Sequence, residues 1–252
     1  MSLTSQFVQN LKRFRLVTFD VTDTLLRLEE PMRHYQKTAE ECGVPGVDRG
    51  QLERCFRQQF SAMSREHPNF GRQSPDMMDW QQWWMHLVSR TFACTDDRLE
   101  AEQLERIGRR LIALFRTNVC WRHIEGGQEL VKRVRAAGKS VGVISNFDPS
   151  LPQVLAAMGY AGKFDFVLTS YEAGVMKPDS RIFHMALQRL GLQAEQALHI
   201  GNKLDMDYAG ARNSGWSGLL VDEAGKAAGD SRHTFGSLSS LVKALDNQEI
   251  QW

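Results

Sequence analysis

The sequence predicts an α/β fold in which a parallel β-sheet, covered by helices on both faces, carries an inserted all-helical domain. Short, continuously apolar runs predict the sheet, because parallel strands are buried on both faces and lack polar alternation. Helical patterns separate the later runs and give a βαβαβαβ order, which is typical of right-handed crossovers. A long helical stretch after the first run predicts the insertion.

The predicted strands are short and apolar, and we expect the first one at the centre of a five- or six-stranded sheet. They cover residues 16–20, 140–146, 164–170, 197–202 and 217–222. Helical patterns before and between the last four cover residues 127–138, 151–160, 179–191 and 206–215. Several of these segments close on glycine, which is a common residue after a helix C-terminus.

The first two predicted strands are separated by a segment with helical pattern and little strand pattern. Its predicted helices cover residues 31–41, 48–66, 79–92 and 101–118. We therefore expect a helical domain over residues 28–126 and an α/β core domain over residues 1–27 and 127–252. Trp80, Trp83 and Trp84 share an apolar stripe with Leu87 and Val88, which predicts core packing, with a tryptophan in a substrate pocket as the alternative.

Composition excludes several classes of protein. Of the 252 residues, 42% are hydrophobic and 24% are charged, and the net charge is +1. Those values exclude a disordered chain and give no electrostatic signal for nucleic acid or an anionic membrane. No apolar run reaches the roughly 20 residues that span a bilayer. We expect a monomer or a weak homodimer.

The four cysteines and the N-terminus bear on the compartment. Cys42, Cys55, Cys94 and Cys120 form no C-x-x-C pair, which argues against a disulfide framework and a zinc site and favours a cytoplasmic protein. Residues 1–15 contain three basic residues and no acid. They are interpreted as a short docking helix, with a mitochondrial targeting segment as the alternative.

Chemically active residues follow the predicted strands, and the carboxyl ends of parallel strands are where ligands bind in open α/β sheets. They are Asp20 after the first strand, Ser145 and Asn146 at the end of the second, Lys177 after the third, and Asn202 and Asp207 after the fourth. A carboxylate nucleophile with a hydroxyl, a lysine and a second carboxylate suits phosphoryl transfer. His199, inside the fourth strand, is interpreted as a satisfied core residue.

Four segments at these positions, FDVTDTLL, VISN, KPDSRIF and IGNKLDMD, resemble the four motifs of the haloacid dehalogenase (HAD) superfamily in order and spacing. The resemblance covers essentially the whole chain and implies a Rossmann-like core with a helical C1 cap. HPNFG, WWMHLVSRTF and SNFD further resemble the group of haloacid-dehalogenase-like hydrolase domain-containing protein 3 and rhythmically expressed gene 2 protein.

The resemblance implies roles for the matching positions. Asp20 matches the nucleophile that forms an aspartyl-phosphate, and Ser145, Asn146 and Lys177 match the phosphate-binding positions. It also implies Mg²⁺ as the cofactor. The metal positions are Asp20, the backbone carbonyl of Thr22, Asn202 and Asp207. The implied substrate is a small phosphorylated metabolite.

Two positions depart from the pattern of phosphatases in this superfamily. Thr22 stands where a second Asp protonates the leaving group and activates water, and a hydroxyl cannot serve as a general acid or base near neutral pH. Asp23 is one residue further, so its side chain is expected on the other face. Asn202 replaces the first acid of the fourth motif and is followed by Lys203, which predicts weaker Mg²⁺ binding.

These residues leave three functions open. The first is a slow Mg²⁺-dependent phosphatase acting on a small phosphate ester. The second is a catalytically weak or inactive HAD-fold binding protein, which Thr22 and Asn202 favour. The third is a metal-free dehalogenase-like hydrolase that attacks carbon.

Overall fold

The computed structural model describes residues 3–75, 78–223, 225, 232–247 and 250–252. The chain divides into two compact units. A sheet unit comprises Met1–Arg27, Arg122–Asn146 and Gly159–Trp252, and a helical unit comprises Leu28–Trp121 and Phe147–Met158. This differs from the predicted division, because residues 147–158 group with the helical unit and residues 122–126 with the sheet unit.

The described part of the chain forms eight strands. They are β1 (Leu16–Phe19), β2 (Leu26–Leu28), β3 (Trp121–His123), β4 (Ser140–Ser145), β5 (Phe166–Thr169), β6 (Ala197–Gly201), β7 (Ser217–Val221) and β8 (Thr234–Phe235). Six of them form one sheet in the order β5-β4-β1-β6-β7-β8. Each pair that the structure describes in it is parallel. The predicted parallel sheet with the first strand at its centre is therefore confirmed.

Three short strands, β2, β3 and β8, were not predicted from the sequence. The two-residue β8 extends the sheet beyond β7, and β2 pairs with β3 in a separate two-stranded sheet. Strands of two or three residues are too short to show either an apolar run or an alternation. By contrast, all four residues of β1 are buried, as its continuous apolar run predicts.

Eleven α-helices lie in the part of the chain that the structure describes. They are α1 (Ser5–Asn10), α2 (Pro31–Glu41), α3 (Arg49–Glu66), α4 (Trp80–Thr95), α5 (Ala101–Leu114), α6 (Gly127–Ala136), α7 (Leu151–Ala157), α8 (Ser170–Ala173), α9 (Ser180–Leu190), α10 (Gly210–Asn213) and α11 (Leu238–Asn247). The predicted helix over residues 206–215 is different in the structure: a π-helical turn covers Leu204–Ala209 and only then does α10 begin.

The first helix packs within the sheet unit, as the docking-helix interpretation predicts. Asn10 donates a hydrogen bond from Nδ2 to the carbonyl of Leu245 in α11, at 2.9 Å. Phe7 is fully buried, and the guanidinium of Arg133 lies 4.3 Å from its ring centre. No helix among the described residues is long and apolar enough to cross a membrane.

The helical unit contains α2–α5 and α7 and has its own core. Trp83, Leu87 and Val88 of α4 are buried there, so the predicted core packing of this stripe is confirmed for them. Trp80 and Trp84 are half-buried. Trp84 donates from Nε1 to Oδ2 of Asp148 at 2.8 Å, within the same unit.

The structure contains a disulfide, against the expectation drawn from the cysteine spacing. Cys55 in α3 and Cys94 in α4 are joined by a disulfide, although they are 39 positions apart in the sequence. The short-range spacing rule could not detect this pair, because packing of α3 against α4 brings the two sulfur atoms together. Cys42 and Cys120 are buried and free.

Candidate active site

The nucleophile candidate lies directly after the central strand of the sheet. Asp20 continues the ladder, since its N–H donates to the carbonyl of Ile200 at 2.9 Å. Its side chain extends from the carboxyl end of β1, and the residue is 7% exposed. One carboxylate oxygen, Oδ1, accepts the hydrogen bonds described below, and Oδ2 accepts none that the structure describes. Oδ2 is therefore the oxygen of this carboxylate without a described hydrogen bond.

Lys177 lies between two carboxylates. Its Nζ is 2.8 Å from Oδ1 of Asp20 and 2.6 Å from Oδ1 of Asp207. It also donates to the carbonyl of Ile144 at 2.7 Å, and the residue is only 3% exposed. The prediction that Lys177 lies within salt-bridge distance of Asp20 is confirmed.

The second motif contributes a hydroxyl and an amide that have different partners. Ser145 at the end of β4 donates from Oγ to Oδ1 of Asp20 at 3.0 Å. Asn146 instead binds the backbone of Lys177: Oδ1 accepts from its N–H at 2.7 Å, and Nδ2 donates to its carbonyl at 3.0 Å. Asn146 therefore positions Lys177 in this arrangement, whereas the sequence predicted a phosphate contact for it.

Asp207 is held by three donors and is 1% exposed. Oδ1 faces Lys177 and Nε2 of His199, the latter at 3.3 Å, and Oδ2 accepts from the N–H of Lys203 at 2.9 Å. The glycine at the end of β6 makes room for it, because a Cβ on Gly201 would lie 2.3 Å from Cγ of Asp207. Both oxygens thus already accept hydrogen bonds, and the metal contact predicted for Asp207, direct or through water, would add to these bonds.

His199 is a satisfied core residue, as predicted, but its partner was missed. It is fully buried, and its Nδ1 lies 2.8 Å from Oγ1 of Thr18. Its partners could not be predicted from the sequence, because Thr18 lies in another strand and Asp207 in the turn after β6. The signal available was a histidine two residues before Gly201 in an otherwise apolar strand.

The two departures lie at the same edge of the sheet. Asn202 accepts from Oγ1 of Thr24 at 3.3 Å, and Thr22 is half-buried. Asp23 has a positive φ of 59°, and its Oδ1 accepts from Nε of Arg27 at 2.9 Å. That carboxylate is therefore engaged in an ion pair with Arg27.

Burial and neighbouring charges perturb the acids and bases of this cluster. Burial raises the pKa of Asp20, opposed by Lys177 and reinforced by repulsion from Asp207. Burial would likewise raise the pKa of Asp207, but Lys177 and His199 lower it below its ordinary value. Burial lowers the pKa of His199. Burial would lower the pKa of Lys177, but the two carboxylates outweigh this effect and raise its pKa above the ordinary value.

The charges of this cluster are compatible with a bound cation. With His199 neutral, one ammonium faces two carboxylates, which leaves an excess of negative charge. Mg²⁺ binds oxygen ligands and often takes only one or two carboxylates, with water filling other positions. The carboxylate of Asp20, the carbonyl of Thr22 and the amide oxygen of Asn202 are suitable donors. Among the residues that the structure describes, no group of three His, Cys, Asp or Glu forms a metal cluster.

The model of the haloacid dehalogenase-like hydrolases matches residues 14–215. The chain belongs to this family. Rhythmically expressed gene 2 protein of Drosophila melanogaster is 36% identical over 261 residues, covering 97% of this chain and 100% of that protein. Haloacid dehalogenase-like hydrolase domain-containing protein 3 of Bos taurus is 37% identical over 244 residues, covering 94% and 96% of the two chains.

Solved structures of this family share the fold. The HAD hydrolase YfnB of Bacillus subtilis, in a crystal form bound to magnesium, superposes with a TM-score of 0.69 at 19% identity. The match covers 93% of this chain and 99% of that one. The protein described here is accordingly a HAD-family hydrolase by sequence and has the Rossmann-like fold of that family.

Proposed function

We propose that this HAD hydrolase is a slow, Mg²⁺-dependent phosphatase that acts on a small phosphate ester through an aspartyl-phosphate at Asp20. The observation that carries the proposal is the arrangement of Asp20: Lys177 and Ser145 bind one oxygen, and the other is free. A carboxylate held in one orientation by two donors is suited to in-line attack on phosphorus.

The residues divide the work as follows. Oδ2 of Asp20 attacks the phosphorus, and the bond to the ester oxygen breaks; the leaving group departs as an oxyanion and takes its proton from solvent water. Lys177 offsets negative charge at the nucleophile, and the Ser145 hydroxyl orients the carboxylate and is available to a phosphoryl oxygen. Water then attacks the phosphorus of the aspartyl-phosphate, which releases inorganic phosphate and restores Asp20.

A bound Mg²⁺ would be held by Asp20, the carbonyl of Thr22 and Asn202, with Asp207 acting through its contact to Lys177. It would supply positive charge for the phosphoryl oxygens. Asn202 brings no negative charge to this set, and Lys203 beside it adds a positive one, so we expect weak metal binding.

The reason for slow turnover lies at Thr22. No carboxylic acid is available there to protonate the leaving group or to activate water, and Asp23 is engaged with Arg27. Loss of a general acid–base group typically costs about 10²- to 10⁴-fold in rate. We therefore expect aspartyl-phosphate to accumulate in the wild-type protein.

The test is phosphate release from an aryl phosphate and an alkyl phosphate, with and without Mg²⁺. Asp20→Asn should abolish phosphate release. No aspartyl-phosphate should be found in this variant after acid quenching. Asp205→Asn is the matched control, because Asp205 is an exposed carboxylate in the same motif. Equal release by wild type and Asp20→Asn would overturn the proposal.

A catalytically inactive binding protein is the second candidate, and the engaged state of Asp23 beside Thr22 favours it. It predicts that inorganic phosphate binds to wild type while no ester is hydrolysed. The metal-free dehalogenase-like hydrolase predicts halide release from a 2-haloacid that does not depend on Mg²⁺. The same set of assays therefore separates the three functions.

A further inference from the structure

Two buried polar residues lie next to the proposed catalytic groups and have no role in the steps above. Thr18 and His199 are both fully buried. They are register partners on the adjacent strands β1 and β6, so their side chains lie on the same face of the sheet. His199 is also in edge contact with the ring of Phe183, with centres 5.5 Å apart, which fixes the plane of the imidazole.

The hydrogen bonds assign the proton of the imidazole. An ionised carboxylate only accepts hydrogen bonds, so Nε2 of His199 must carry the proton that faces Oδ1 of Asp207. A neutral imidazole has one N–H, and Nδ1 is then an acceptor. The hydroxyl of Thr18 supplies the matching donor at 2.8 Å. The carbonyl of Leu198, the other acceptor near the Thr18 hydroxyl, is further away, at 3.4 Å.

We propose that Thr18 and His199 are positioning residues that hold the Asp207 carboxylate where it binds Lys177. The chain of contacts runs from the Thr18 hydroxyl through the imidazole to Oδ1 of Asp207, and from there to Nζ of Lys177. Lys177 in turn binds Oδ1 of Asp20, which keeps Oδ2 free. The catalytic consequence rests on the proposed phosphatase function, whereas the geometry does not.

The proposal explains why a histidine occupies an apolar strand. Lys177 already donates to Oδ1 of Asp207, and the N–H of Lys203 binds Oδ2. The third donor, from His199, restricts rotation of the carboxylate about its Cβ–Cγ bond. Without it, Asp207 could follow Lys177 when substrate charge pulls the ammonium towards the phosphoryl group.

The first experiment is ¹⁵N nuclear magnetic resonance of the histidine side chains in the full chain. Wild type should show His199 as the neutral Nε2–H tautomer, assigned by its loss in His199→Gln. Thr18→Val removes the hydroxyl without changing volume and should shift the Nδ1 resonance of His199, whereas Thr18→Ser should preserve it. Thr91→Val is the matched control, because Thr91 is an equally buried hydroxyl that donates to the carbonyl of Leu87 in the helical unit.

The second experiment is steady-state kinetics with an aryl phosphate. His199→Phe keeps a ring but removes the donor, and we expect kcat to fall about 10- to 100-fold, as for other residues that orient a catalytic ligand. KM should change little, and His199→Gln should retain part of kcat because it keeps an N–H. Thermal unfolding of each variant checks that the folded fraction is equal.

The two experiments distinguish failure of the phosphatase function from failure of the positioning proposal. If wild type hydrolyses no ester, the phosphatase function fails while the resonance arm still decides the positioning of Asp207. An Nδ1–H tautomer, an imidazolium, or a His199 resonance that Thr18→Val leaves in place would overturn the proposal. So would an unchanged kcat in His199→Phe in an active enzyme.

Discussion

Replacing Gly201 by alanine should separate catalysis from folding. The added Cβ would lie 2.3 Å from Cγ, 2.4 Å from Oδ2 and 2.5 Å from Cβ of Asp207. Real carbon contacts begin near 3.5 Å, so Asp207 must move by about 1 Å. A displacement of about 1 Å can lengthen the 2.6 Å contact between Asp207 and Lys177 beyond hydrogen-bond distance.

The expected size of the effect follows from this displacement. A misplacement of about 1 Å in a catalytic constellation can reduce the rate about 10²-fold. Overpacking a filled core costs about 1–3 kcal/mol in the free energy of unfolding. We therefore expect Gly201→Ala to lose most of its kcat while it remains folded at 25 °C, since domains of this kind have about 5–15 kcal/mol of stability.

The assay pairs phosphate release with urea unfolding, and Gly142→Ala is the matched control. Gly142 lies in β4 of the same sheet, and a Cβ there would also come within 2.3 Å of an atom, in this case Cζ of Phe166. Phe166 is half-buried and can rotate away, so this variant should lose some stability and keep its kcat. If both variants lose kcat in proportion to stability, the assigned role of Asp207 is wrong.

Three further outcomes are expected. Thr22→Asp should raise kcat by restoring a general acid, more for an alkyl than for an aryl phosphate; a fall measured in steady-state kinetics would show that the acid was misassigned. Asn202→Asp should lower the Mg²⁺ concentration for half-maximal activity, because it adds a negative charge near Asp20, and an unchanged Mg²⁺ titration would remove Asn202 from the metal donors. Asp246→Asn should cost about 1–3 kcal/mol at pH 7, because it leaves the buried Arg133 without its carboxylate. The pairing lowers the pKa of Asp246, so the difference from wild type in urea unfolding should be full above about pH 4 and shrink as the pH falls further. A difference that is constant down to pH 2 would contradict this pairing.

Much of the fold could be predicted from the sequence because the central strands are buried on both faces. The apolar runs around Val17 and Val143 are short and contain β-branched residues, which favours buried strands, and the structure places them in β1 and β4. The pairing of β2 with β3 could not be predicted, because strands of three residues have no period. The contact of Cys55 with Cys94 depends on how α3 packs on α4, which is a tertiary property.

The candidate site, like the fold, could be predicted from the sequence only in part. The strand-end rule located Asp20, Ser145 and Lys177, and the structure brings all three together. It could not show that the Asn146 amide is occupied by the backbone of Lys177, because that contact depends on the path of the loop. Nor could it link His199 to Asp207, since their contact arises from the π-helical turn that follows β6.

The position of β1 in the sheet has a consequence for synthesis of the protein. Leu16 pairs with Ser140 on one side and with Ala197 on the other, although β1 is the first strand in the chain. A ribosome adds about 5–20 residues per second, so the strand that leads to Asp20 waits roughly 6–25 s for its first partner and longer for its second. During that interval the helical unit's first segment, Leu28–Trp121, emerges complete, while an apolar strand with two open edges is exposed to pairing with another chain.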